Sequence, residues 1–231
     1  MMKKSKLVFL FFMFSIYSFS QEKDDKSFAL TYRFSSYVKG KIKSEDNKYD
    51  RIVNIYKSID SVQNIKYSFY CMKFDFQGPN NLPYIRKVSY MFDEITVLVN
   101  SNGQITDVIK PADMDKRWLE TKAKILQNYS GSAIINYLKQ VEETIADKEK
   151  LIAFLQTDNM YGLFLKGFSE MEKRNPSSKI KKKGDLTIIL PKTLSKDEKY
   201  EFTFKNSMLI KAKKISKKIT YEINYLKPVE L

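Results

Sequence analysis

The sequence predicts an α+β fold, a curved antiparallel sheet with a helical insertion packed on one face. Three observations predict it. Residues 27–110 alternate apolar and polar side chains with period two, residues 112–172 switch to helical spacing, and residues 184–226 return to alternation. Strands, then helices, then strands, with no internal repeat, gather the helices on one side of an antiparallel sheet.

The elements follow in order. Even positions from Phe28 (Leu30, Tyr32, Phe34, then Ser36 and Val38) are set against polar odd ones (Thr31, Arg33, Ser35, Lys39), which marks a long half-buried strand. SEDNKYD (44–50) turns the chain back into antiparallel partners over 51–57 and 66–76. QGPNNLP is a loop, and RKVSYMFDEITVLVN (86–100) supplies one or two further strands.

The stretch 97–118, VLVNSNGQITDVIKPADMDKRW, has the look of a calcium loop, but with Gly103 as sixth residue the first position is Leu98 and the ligand pattern fails. Asn102-Gly103 between two apolar runs instead predicts a two-residue type I′ hairpin.

Asp113 then caps a helix whose expected buried stripe is Met114, Trp118, Leu119, Ala123 and Leu126, ending near Tyr129. Ser130, Gly131 and Ser132 interrupt it. Ile134, Leu138, Val141 and Ile145 form the apolar stripe of a second helix, and Asp147 opens a short third one. MYGLFLKGF (160–168) is apolar all round, so it is either core or a lid over an apolar cavity with Gly162 and Gly167 as pivots. Strands return over 186–190, 200–205, 208–215 and 218–225.

Residues 1–20 predict a secretory signal: three lysines, an uncharged apolar run over 7–19, and small residues before an expected cleavage at Gln21. That run is shorter than the roughly 20 residues of a spanning helix. The remainder, 21–231, is expected to be one soluble, exported α+β domain, periplasmic or extracellular, with no transmembrane segment in its mature form. Cys71 is the one cysteine, so no internal disulfide forms, and its apolar neighbours predict a small buried hydrophobe.

The formal net charge is +14, three of it from signal-peptide lysines, and residues 173–218 hold 15 Lys/Arg against four Asp/Glu. The basic excess therefore sits in one segment. Its peaks, Lys181, Lys182, Lys183 and Lys213, Lys214, Lys217, Lys218, predict either a positive face for an acidic envelope protein or surface, or lysines that protect exposed strands. Nucleic acid is not an expected partner, because the basic runs lack interleaved aromatics and arginines.

The chain has no histidine, which excludes Ser-His, Cys-His and His-metal chemistry. It has no phosphate-cradling glycine loop and no G-x-S-x-G. Ser36 with Lys39 and Ser178 with Lys181 match S-x-x-K without its companion elements, and the pairs Asp93-Glu94 and Glu142-Glu143 diverge on strand or helix. No enzyme, cofactor or metal is expected.

Within residues 105–168 and the turn before them stand Asn100 to Gly103, Arg117-Trp118, Lys122, Lys124, Tyr129 to Gly131 and Glu142-Glu143. This pattern resembles a family of exported Bacteroidota proteins that carries no assigned activity. The resemblance covers roughly a quarter of the chain and implies an envelope location, without a mechanism. In architecture alone, a curved sheet with a helical cover is similar to the half-barrel lipoprotein carriers, which hold acyl chains between sheet and helices. The expected function is therefore a non-enzymatic envelope binding protein for an apolar or lipid-like ligand, with Trp118, Leu163, Phe164 and Phe168 as candidate cavity or lid residues. The alternative is an interaction or assembly factor using the basic C-terminal strands.

Overall fold

The computed structural model describes residues 29–38, 48–59, 65–77, 88, 92, 94–173, 177–193, 195, 197–217 and 219–226. The expected signal peptide, Phe28, most of the first turn, the loop after residue 77 and Lys218 lie outside them.

Five strands come first: β1 (Leu30–Val38), β2 (Lys48–Ile59), β3 (Ile65–Gln77), β4 (Glu94–Val99) and β5 (Ile105–Ile109). Four helices follow: α1 (Met114–Asn128), α2 (Ser132–Ala146), α3 (Lys148–Thr157) and α4 (Tyr161–Lys173). Five more strands close the chain: β6 (Lys179–Lys183), β7 (Leu186–Leu190), β8 (Lys199–Lys205), β9 (Met208–Ile215) and β10 (Ile219–Leu226).

All ten strands form one open antiparallel sheet in the order β5-β4-β3-β2-β1-β10-β9-β8-β7-β6. Each half is a meander, and the two are joined at the centre by the first and last strands, with Thr31 opposite Leu226 and Val38 opposite Ile219. The helices connect the two outermost strands, so they must cross one face.

Curvature has a local cause. Between Ile52 and Val53 the register of β2 against β3 shifts, leaving Met72 as an extra residue, and like shifts occur at Leu98/Val99 and Thr203/Phe204. An unpaired extra residue bends its strand and increases twist, so three of them curl both halves of the sheet toward the helices. The concave side carries the core: Tyr32 and Phe34 of β1, Val53 and Ile55 of β2, Tyr67 and Phe69 of β3, Phe202 and Phe204 of β8, and Leu209 and Ala212 of β9 are all buried.

Helix α4 lies inside that curve and is core. Phe164 meets Tyr32, Phe34, Tyr67 and Phe69 at ring-centroid distances of 5.2 to 6.3 Å. A Cβ at Gly167 would come within 3.0–3.3 Å of Leu209 and Phe202, and one at Gly162 would strike the Gln156 carbonyl. These glycines permit close approach and are not pivots of a lid. From the other half, Ser169 Oγ donates to the Asn102 carbonyl at 2.9 Å, so the sheet touches α4 from both sides.

Several expectations are corrected. Over 86–100 one strand, Glu94–Val99, is present among the described residues, within the expected one or two, while the described Val88 is helical, and Val88 and Phe92 are both buried. The β4–β5 hairpin is where Asn102-Gly103 places it, but its turn is not type I′, since Gly103 (φ +72°) has positive φ and Asn102 does not. Asn100 accounts for the difference: its carbonyl accepts from Gly103 N–H at 2.9 Å and its side chain accepts from the Asn102 and Gln104 amides, building a turn over residues 100–103.

On α1 the buried residues are Met114, Trp118 and Ile125, while Leu119 and Leu126 are 62% and 44% exposed and Ala123 is also exposed. The α2 stripe and the Asp147 cap, which accepts from Lys150 N–H at 2.9 Å, agree with expectation. Strands resume at Lys179, earlier than 184, because the lysine run is itself strand β6. Cys71 is only half-buried.

The two sheet edges are managed differently. Gln156 Oε1 of α3 accepts from Ile105 N–H at 2.7 Å, and Lys148 bonds Asp107 at 2.6 Å, so α3 covers β5. Strand β6 is exposed at every residue and carries four lysines, the usual protection of an open edge.

Candidate functional site

Inward-facing residues of β2 run Arg51, Val53, Ile55, Lys57, which places two cations about 20 Å apart along the strand with two apolar side chains between them. Helix α4 lies over this stretch, and a cleft opens at each end.

The first cleft, about 290 Å³, has Arg51 in its wall with Val88, Phe92, Tyr137, Gln140, Val141, Thr144 and Phe154. Arg51 Nη1 donates to the Tyr161 hydroxyl at 3.2 Å, and its guanidinium lies 4.9 Å from the Phe74 ring centroid. Tyr161 in turn donates to the Phe92 carbonyl at 3.3 Å, and Phe92 packs on Phe154 at 5.1 Å. The guanidinium is thus fixed beside an apolar wall drawn from sheet and helices alike.

The second cleft, about 230 Å³, is lined by Leu30, Ile55, Lys57, Tyr67, Phe164, Phe168 and Met208, with Asn206 and Ser207 at the β8–β9 turn. Lys57 Nζ lies 5.7 Å from the Phe168 ring centroid. Phe164 and Phe168, at 4.9 Å from one another, fill the space that a longer channel would need.

A third pocket of about 290 Å³ is polar. It sits between the α3–α4 turn and strands β8 and β9 and includes Asn159, Leu163, Lys166, Tyr200 and Lys214. Lys166 Nζ lies 3.6 Å from the Tyr200 ring centroid and Lys214 Nζ at 5.6 Å. Lys214 bonds Glu198 at 2.9 Å and Asn159 at 3.0 Å, and the Tyr200 hydroxyl donates to Glu198 at 2.9 Å. Burial lowers the Lys166 pKa. Burial also raises that of Tyr200, and its bond to Glu198 adds to the shift. Glu198 is lowered by its bonds from Lys214 and Tyr200.

The structure divides the candidate residues. Phe164 and Phe168 line the second cleft, and Leu163 lines the polar pocket. Trp118 is buried on α1, where Glu142, bonded to Lys122 at 2.7 Å, is its acidic neighbour, and it lines none of the three. Among the described residues, the expected basic side chains divide into paired and exposed ones. Lys213 pairs with Glu222 at 3.0 Å, Lys217 with Asp197 at 2.9 Å and Lys214 with Glu198, while Lys181, Lys182 and Lys183 stand exposed on β6.

Arg51, Lys57, Lys166 and Tyr200 were not singled out from the sequence. The signal for the first two was present: on a strand whose inward set is apolar, a cation at an inward position breaks the alternation.

Among the described residues, no group of three or more Cys, Asp and Glu side chains is placed to hold a metal ion, and no helix is long and apolar enough to cross a membrane. No protein-family model matches the chain, and no curated protein does. Among solved structures it is similar, at 7% identity and a TM-score of 0.30, to one titled for lipid-protein interactions in lipovitellin; the match covers 86% of this chain and 25% of that one. The chain thus spans about a quarter of that protein's length.

Proposed function

We propose that the protein is an exported, non-enzymatic binding protein of the cell envelope that takes an apolar or lipid-like molecule. The cleft beside Arg51 carries the proposal. Its wall is mostly apolar, it opens between sheet and helices, and a guanidinium held by Tyr161 and Phe74 borders it. An alkyl chain would exchange water for Val141, Phe92 and Phe154, at about 25 cal/mol per Å² buried. The volume suits one chain of modest length better than a whole phospholipid, given the roughly 300–1,000 Å³ of ordinary ligand pockets. The absence of histidine and of a second cysteine supports a binding role over catalysis. The expected export signal and the resemblance to exported Bacteroidota proteins support the location.

The test is native mass spectrometry of the protein as its host processes it, with displacement of a fluorescent fatty acid as a second readout. Val141→Trp fills the first cleft from a half-buried position on α2, and Met208→Trp fills the second. A discrete added mass and probe uptake lost in Val141→Trp but kept in Met208→Trp are expected. A bare mass with no probe uptake in the unaltered protein would overturn the proposal.

The alternative, an interaction factor using basic strands, is favoured by one observation, the exposed lysines of edge strand β6. It is weakened by the acid partners of Lys213, Lys214 and Lys217.

A further inference from the structure

Strand β6 ends the sheet, and its cations have no acid to answer them. Lys179, Lys181, Lys182 and Lys183 are all exposed and form no ion pair among the described residues. The neighbouring strand, β7, has no charged residue, and Asp185, in the turn that joins the two, bonds Lys205 at 2.9 Å. The edge also leaves main-chain groups open. Gly184 (φ +60°) and Asp185, which does not take positive φ, make the two-residue type II′ turn between Lys183 and Leu186. The pair flanking such a turn exchanges both backbone bonds. By alternation Lys183, Lys181 and Lys179 bond β7, while Ile180 and Lys182 point their N–H and C=O outward.

We propose that this edge binds an acidic, extended segment of a partner protein, which joins the ten-stranded sheet as a further strand beside β6. Charge complementarity and the open backbone together choose this occupant. Main-chain bonds to Ile180 and Lys182 would hold it. Carboxylates at its alternate positions would face Lys179, Lys181 and Lys183, which lie on one side of β6 about 6.6 Å apart. Opposite charges directly across a strand pair stabilise the pairing, and like charges oppose it. A second copy of the chain is therefore a poor occupant, since two such edges in one continuous sheet would set lysine against lysine. The lysines that protect the edge from its own copies thus select an acidic strand. A polyanion without a peptide backbone would meet the ammonium groups and leave the outward N–H and C=O groups unused. The clefts lie on the concave side of the sheet, and strand addition at β6 does not depend on what occupies them.

The experiment is fluorescence anisotropy of a labelled peptide that alternates glutamate with threonine, titrated with the host-processed protein. Saturable binding is expected, weakened by salt and reduced about tenfold or more by Lys181→Glu with Lys183→Glu. That double variant, altered only at exposed positions, should keep its unfolding midpoint and bind the peptide that alternates lysine with threonine instead. Ile180→Pro removes one outward N–H, keeps all four lysines and is a change that an edge strand tolerates at such a position; it should weaken binding by a similar factor. Ile180→Thr, which keeps the N–H, should bind as the unaltered protein does. Val141→Trp, which fills the first cleft, should also bind normally, and this separates failure of strand addition from failure of the ligand proposal. Absence of saturable binding, equal binding by the charge-reversed variant, or loss in Val141→Trp would each overturn the proposal. So would equal binding by Ile180→Pro, which would mark attraction of a polyanion without strand addition, or an equal loss in Ile180→Thr, which would trace the effect to side-chain packing.

Discussion

The Lys166 ammonium sits 3.6 Å from the centroid of the Tyr200 ring, on a helix otherwise buried in the concavity of the sheet. No acid forms an ion pair with it among the described residues, since Glu198 is bonded to Lys214 and Tyr200. Burial holds its pKa below the usual lysine value. The unfolded chain therefore binds this proton more readily than the folded one, and stability gains as pH rises from the folded pKa to about 10.5. Lys166→Met keeps the stem and removes the titration. Urea midpoints from pH 7 upward should show the alkaline gain in the unaltered protein relative to the variant. Parallel pH profiles for the two would show that Lys166 makes no such contribution.

Gly103 joins two constraints that a sequence pattern cannot separate. Its φ is +72°, and a Cβ there would overlap the Ser169 side chain of α4. Gly103→Ala should therefore cost roughly 2–3 kcal/mol in chemical denaturation, from left-handed backbone strain and displacement of Ser169 together. Placed in a Ser169→Gly background, the same substitution should cost only the backbone share, about 1 kcal/mol. Equal costs in both backgrounds would show that the hairpin does not rest on α4.

The order of elements was legible because alternation and helical spacing are local properties of residues such as Tyr32-Phe34 and Leu138-Val141. What was not legible depended on which of two plausible faces the rest of the molecule covers. On α1 both Trp118-Ile125 and Leu119-Leu126 have helical spacing, and only the position of the sheet decides which is buried. Strand β6 was hidden because KIKKK has no apolar alternation to read; it is strand through pairing with β7, Lys179 opposite Leu190. The clefts were illegible for a further reason. Alternation alone could set Arg51 on the inward face, but its place opposite Phe34 is a pairing that no single strand reveals. Phe164 and Phe168 were recognisable as apolar, yet whether such rings enclose a cavity or fill one depends on the curvature that three register shifts impose.

The same limit applies to turns. Asn102-Gly103 has the residues of a type I′ turn and does not form one, whereas Asn206 (φ +48°) and Ser207 (φ +66°) lack the glycine and do take two positive φ values between β8 and β9. Two residues link Lys205 to Met208, which are themselves paired, so the turn must twist with its strands, and only the primed types do so. Asparagine tolerates that conformation; serine is strained by about 1 kcal/mol. Ser207→Gly removes the strain and gives back part of the gain through a freer unfolded chain. The net effect should be a rise in stability of ~0.5 kcal/mol, read from the urea midpoint at unchanged slope. Ser207→Val, whose branched Cβ resists positive φ, should lower it by more than that. A fall in stability for the glycine variant would mean that the Ser207 side chain supports the turn by more than its backbone strain costs.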